Sequence, residues 1–123
     1  MILGFKDLRV WKLGHELTLE VYKITSTFPE KEKFGIVSQL RRCSSSVPAN
    51  IVEGQSRKST KEFIQFLFQA RGSLAEAQYF LILATDLKYM STVENEKLQN
   101  SYEQLSRQLN ALIITLRNKK NNE

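Results

Sequence analysis

Residues 39–54 read Gln39-Leu40-Arg41-Arg42-Cys43-Ser44-Ser45-Ser46-Val47-Pro48-Ala49-Asn50-Ile51-Val52-Glu53-Gly54. With Val37 just before them, Leu40, Val47 and Ile51 recur at steps of three, seven and four, the spacing of one helix face, yet a proline lies among them. Proline removes a backbone donor and pushes the carbonyl four residues earlier, here that of Ser44, out of the ladder, at about 3 kcal/mol in a regular helix. The neighbours suit that disturbance: three serine hydroxyls can bond nearby carbonyls, and Ala49 is small. The segment therefore reads as a core helix kinked at Pro48 and packed closely on a neighbour. Gly54 is expected just past its end, where a residue that accepts positive φ is favoured.

The same rhythm extends to both sides. Upstream, Val10, Leu13, Leu17, Val21, Ile24 and Phe28 predict a helix over 7–27, ended by Pro29. Downstream, Ser59-Thr60-Lys61-Glu62 forms a capping box that opens a third helix, with a core stripe of Phe63, Leu67, Ala70, Leu74, Ala77, Leu81 and Ala84. Asp86 to Met90 ends it, and a second box, Ser91 to Glu94, opens a fourth helix on Leu98, Tyr102, Leu105, Leu109, Leu112 and Leu116. The tail 118–123 is expected to be disordered. No stretch alternates as a half-buried strand would. Short connections between long helices place successive helices side by side and antiparallel, so the expectation is all-α, an up-down-up-down four-helix bundle in one domain.

A chain of 123 residues suits one core. Its 18 Lys and Arg against 13 Asp and Glu, a net charge of +5, favour an acidic partner without identifying one. Cys43 is the only cysteine, so no internal disulfide can form, and it reads as a buried thiol. Met1 to Phe5 is too short for a signal peptide or membrane anchor, which points to the cytoplasm.

The third helix is more apolar than its stripe requires. Ile64, Phe66, Phe68, Phe80, Ile82 and Leu83 lie off it, and Phe66, Phe80 and Leu87 recur at multiples of seven. A helix apolar on most sides is normally buried on most sides, so self-association is the economical reading, with Phe66, Phe68, Phe80 and Leu83 as candidate interface residues. The alternative is wide flanks reaching into a broad monomer core.

Charge is uneven too. Between residues 41 and 71, Arg41, Arg42, Arg57, Lys58, Lys61 and Arg71 face only Glu53 and Glu62. Arg57, Lys58 and Lys61 surround the second connection, so one end of the bundle should carry a positive field suited to a phosphate backbone. The bland alternative is that Glu53, Arg57 and Lys61 only pair with one another along a solvated surface. Catalysis finds little support: His15 is the only histidine, with Glu16 beside it a solvated helix residue, and no spacing of ligands suits zinc or a di-iron centre. Gly72-Ser73 is no phosphate loop, and a mid-helix glycine there reads as allowing close helix packing. No cofactor, catalytic residue or metal site is expected.

Phe5, Asp7, Leu8 and Trp11, the Gln39-Leu40-Arg41-Arg42 stretch, Ser46-Val47-Pro48-Ala49-Asn50-Ile51-Val52-Glu53-Gly54 and Gly72-Ser73-Leu74-Ala75-Glu76 together resemble the 23S rRNA intervening-sequence protein family. The resemblance runs from Phe5 to about Leu116. It implies an antiparallel four-helix bundle that assembles as a homopentamer, with no enzymatic activity. A related branch, the accessory variability proteins of diversity-generating retroelements, is similar in fold and binds nucleic acid and a reverse transcriptase. The expectation is a non-enzymatic, homo-oligomeric scaffold holding structured RNA through Arg41, Arg42, Arg57, Lys58 and Lys61. The alternative is an interaction module that docks a protein such as a reverse transcriptase. No membrane partner is expected.

Overall fold

The computed structural model describes residues 4–121. Among them are four α-helices, α1 Arg9–Thr25, α2 Ile36–Gln55, α3 Thr60–Asp86 and α4 Thr92–Asn121, with single 3-10 turns at Phe5–Asp7 and Glu30–Glu32 and no strand. Each helix touches its neighbours around a ring, α1 on α2, α2 on α3, α3 on α4 and α4 back on α1. Side-chain partners run in opposite senses across each of the first three seams. Thr18 meets Ser44 and Thr25 meets Arg41; Arg42 meets Glu76 and Ser46 meets Ser73; Arg71 meets Asn110 and Gln99 meets Gln78. Numbers that rise on one helix as they fall on the next describe antiparallel neighbours.

The helix ends follow local chemistry. Ser59 Oγ accepts from the Glu62 N–H at 3.0 Å, although the Glu62 carboxylate makes no return bond. At α4 both halves of the box close, Glu94 N–H donating to Ser91 Oγ and Ser91 N–H to the Glu94 carboxylate. Lys88 ends α3 at φ 68°, a left-handed position, with the Tyr89 N–H donating to Ala84 O and the Lys88 N–H to Thr85 O. The last helix continues through residues 118–121, where a disordered tail was expected, because the i to i−4 ladder simply propagates past Leu116. Residues 122–123 lie outside the described residues.

The core contains the expected stripes with local shifts. On α3, Ile64 replaces Phe63 as the first buried position, so Ile64 belongs to the bundle core and not to its surplus flank. On α4, Ile113 is buried while Leu112 and Leu116 pack at the margin. On α1, Gly14, Thr18 and Thr25 are buried, polar or small residues that an apolar pattern does not pick out.

These residues serve the α1–α2 seam. α2 runs unbroken through Pro48, and the Ser44 carbonyl that Pro48 deprives of its helical donor is buried. Thr18 supplies the replacement from the neighbouring helix, its hydroxyl 3.0 Å from Ser44 O and 2.8 Å from Gly14 O. The serines before Pro48 act elsewhere, Ser44 and Ser45 both donating to Arg41 O. Gly14 lies against Val47 and Pro48, where a Cβ would meet ordinary contacts at 3.6–3.7 Å.

Gly54 does not mark the end of α2 as its residue type suggests. It lies inside α2, no glycine among the described residues has positive φ, and an added Cβ would stand 2.7 Å from Phe66 Cβ and 3.0 Å from Phe63 Cδ1. Close approach of α2 to α3, rather than helix termination, requires the glycine. Gly72 departs from expectation in the opposite direction: among the described residues nothing lies within 4 Å of where its Cβ would be, so none of the four helices exploits the gap.

Candidate nucleic-acid interface

The five basic residues singled out in the sequence separate into two groups. Arg41 is tied to α1: its Nε donates to Thr25 Oγ1 at 2.9 Å, its Nη2 to Tyr22 O, and its guanidinium lies 4.6 Å from the Tyr22 ring centre. Arg42 donates to Gln39 and pairs with Glu76 at 3.2 Å, bridging α2 and α3. These two lie near the start of α2, sixteen residues before Arg57, or about 24 Å along a helix axis. Part of each guanidinium is engaged in joining helices.

Arg57 and Lys58 lie in the α2–α3 turn and Lys61 in the first turn of α3, and all three are exposed. Arg57 pairs with Glu53 one turn back and lies 5.0 Å from the Phe66 ring centre. Lys58 and Lys61 have no carboxylate partner among the described residues. The antiparallel arrangement brings two further basic segments to this end. Lys6, Arg9 and Lys12 arrive with the start of α1, and Arg117, Lys119 and Lys120 with the end of α4. Against these nine cations stand Asp7, Glu53 and Glu62. The opposite end, formed by the α1–α2 and α3–α4 connections, carries Lys23, Lys31, Lys33, Arg41, Arg42, Lys88 and Lys97 against Glu20, Glu30, Glu32, Asp86, Glu94 and Glu96. The bundle is therefore electrically polar along its length, strongly positive at one end and nearly balanced at the other.

Two of those cationic segments were missed in the sequence because Lys12 and Arg117 are more than a hundred residues apart. Only chain reversal unites them. A patch of this kind shows in the sequence only as an excess at each separate helix end, where Lys119 and Lys120 read simply as cations favoured by the carbonyl end of a helix.

The four candidate interface residues of α3 are half-buried. Phe68, Phe80 and Leu83 pack against the core, and Phe66 carries the Arg57 guanidinium. Outward apolar surface is found instead at Tyr79, 56 % exposed, Ile82, 47 %, and Leu87, 45 %. Gly72, Ala75, Tyr79 and Ile82 follow one another at steps of three and four on the side of α3 turned away from Ala70, Leu74, Ala77 and Leu81, and all four are exposed.

Concavities occur on both sides of α4. One, of about 610 Å³, separates α1 from α4 and is lined by Leu13, Leu17, Ile24 and Leu98, with charges of both signs from Glu16, Glu20, Lys23, Glu94 and Lys97. The other, of about 300 Å³, lies between the start of α3 and the end of α4 within the basic end. His15 is exposed and stacks on Trp11 with ring centres 5.0 Å apart, and no group of three metal-ligating side chains occurs among the described residues. Burial, reinforced by the Glu76 carboxylate, raises the Cys43 thiol to about 11, so at neutral pH it is a protonated core group. No helix of the described residues is long and apolar enough to cross a membrane.

No curated protein matches the chain. Among solved structures, the bundle is similar to a protein of unknown function from the S23 ribosomal protein family of Bacteroides thetaiotaomicron VPI-5482, at a TM-score of 0.76 and 25% identity over 85% of this chain and 97% of that one. The model of a family described as 23S rRNA-intervening sequence protein matches residues 6–111, which includes α1, α2, α3 and most of α4. On that match the chain belongs to the 23S rRNA-intervening sequence protein family.

Proposed function

We propose that this protein is a non-enzymatic, self-associating helical scaffold that holds structured RNA by phosphate contacts at the basic end of its bundle. The observation that carries the reading is the gathering of nine Lys and Arg from three remote segments against three acids at one end. Unpaired cations held on a rigid surface release counterions from a nucleic-acid backbone and need no base contacts to do so. Arg57, Lys58 and Lys61 form the centre of this surface, while Arg41 and Arg42 contribute to the general field.

Self-association is supported by the exposed apolar residues Tyr79, Ile82 and Leu87, with Phe80 and Leu83 between them, and by Gly72, whose open side allows another backbone to come close. A five-membered ring is the assembly that the family resemblance implies, and a closed ring would repeat the basic end once per subunit.

The test is fluorescence anisotropy of a labelled RNA hairpin across a salt series. Affinity should fall steeply with salt, by roughly 0.7–0.9 in log K per unit of log salt for each phosphate neutralised, and Arg57→Glu/Lys58→Glu/Lys61→Glu should abolish most of it. A triple variant that binds as wild type does would remove the proposed surface.

A further inference from the structure

The smaller groove singles out one place within the basic end. Its lining contains Lys61 from the first turns of α3 and Arg117 and Lys120 from the last turns of α4, together with Phe68, and no acidic residue. None of those three cations has a carboxylate partner among the described residues. Cations are expected in the last turn of any helix, where they oppose the carbonyl end of the dipole. That explanation concerns one helix alone. It does not account for Lys61 entering the same groove from another helix, nor for Arg117 lying 5.2 Å from the Phe68 ring centre.

Phe68 carries a second guanidinium, that of Arg71 at 4.8 Å, which is also anchored by donating to Asn110 Oδ1 at 3.0 Å. An arginine laid against an aromatic face has lost much of its rotamer freedom before any ligand arrives, while its N–H edge stays available. A planar donor fork held in this way, beside two ammonium groups, suits the tetrahedral oxygens of a phosphate.

We infer that the α3–α4 groove is a discrete phosphodiester-binding site, in which Arg117, positioned on Phe68, grips an RNA phosphate with Lys61 and Lys120. This inference rests on the RNA-binding reading above and localises it. Phe68 is a positioning residue in this site.

Two measurements test it. In the first, the Arg Nε–Hε resonances of the ¹⁵N-labelled protein are followed during titration with inorganic pyrophosphate. Arg117 should shift saturably while Arg107, an exposed arginine farther back on α4, does not; equal movement of both would overturn the site. In the second, binding of the labelled hairpin is compared between Arg117→Gln/Lys120→Gln and Lys23→Gln/Lys97→Gln, which removes the same charge at the opposite end. The first pair should weaken binding at least tenfold and lower the salt slope by about two, and the second should stay within twofold. Equal losses would mean that affinity follows net charge alone and would overturn the site. Phe68→Leu keeps every charge, so it should weaken binding about threefold with the slope unchanged, and Phe68→Tyr should restore it; wild-type affinity in Phe68→Leu would refute the positioning role. Failure of the wild type to bind the hairpin, with Arg117 still shifted by pyrophosphate, would sink the RNA reading and leave a phosphate site. Tight hairpin binding that ignores Arg117 and Lys120 would do the reverse.

Discussion

Thr18 resolves the difficulty that Pro48 creates. A buried carbonyl without a donor costs about 1–3 kcal/mol, and here the missing backbone N–H is replaced by a hydroxyl from another helix. Thr18→Val, nearly isosteric, should lower stability to chemical denaturation by about 1–3 kcal/mol. In a Pro48→Ala background the restored amide can serve the Ser44 carbonyl, so the same Thr18 substitution should cost less there by at least about 0.5 kcal/mol. Strict additivity in that double-mutant cycle would show that the hydroxyl acts only on Gly14 O. Tyr102 presents the opposite case, a buried hydroxyl with no hydrogen-bond partner among the described residues. Tyr102→Phe should be neutral or stabilising by up to about 1 kcal/mol in thermal melts. Burial also raises the titration of Tyr102 and Cys43 above their ordinary values of 10.0 and 9.0. Both groups are acids that the fold holds in the neutral form, so their contribution is full below pH 9 and stability should decline as pH rises from there toward 11.

At the scale of the element, α3 shows how one helix serves three surroundings. Its inner stripe of leucines and alanines lets α2 and α4 approach, and Gly54 brings α2 close enough for Phe63 and Phe66 to cover it. Gly54→Ala should cost about 1–3 kcal/mol in thermal melts, since the clash at 2.7 Å is with a Cβ that cannot move without its backbone. Gly72→Ala should instead stabilise the isolated chain by up to about 1 kcal/mol, because an exposed mid-helix glycine carries only its entropic cost. If the same change lowers the solution mass at a given concentration, the open side of Gly72 is occupied by another copy. Lys88 holds a left-handed position that glycine adopts freely, so Lys88→Gly should raise stability by about 1 kcal/mol.

On the scale of the whole molecule, the two proposed surfaces are distinct. The apolar line of α3 lies toward the balanced end, and the cations lie at the other. Tyr79→Glu/Ile82→Glu should therefore reduce the mass seen by sedimentation equilibrium to that of a single chain while leaving hairpin binding per chain detectable. An unchanged mass would remove that face from the assembly.

The helix count, the caps at Ser59 and Ser91 and most of the core were legible in the sequence, because periodicity and capping are properties of residues within about one turn of each other. The importance of Pro48 was legible too, but not its solution, since Thr18 lies 26 residues from the carbonyl it serves and a threonine on a helix gives no sign of which neighbour it will meet. Likewise the basic turn at Arg57, Lys58 and Lys61 could be read directly, whereas its union with Lys6, Arg9, Arg117 and Lys120, and the separation of Arg41 and Arg42 from it, could not. Local chemistry determined the rods and their greasy faces; only their antiparallel packing decided which charges and hydroxyls became neighbours, because that proximity depends on chain reversals and not on spacing along the chain.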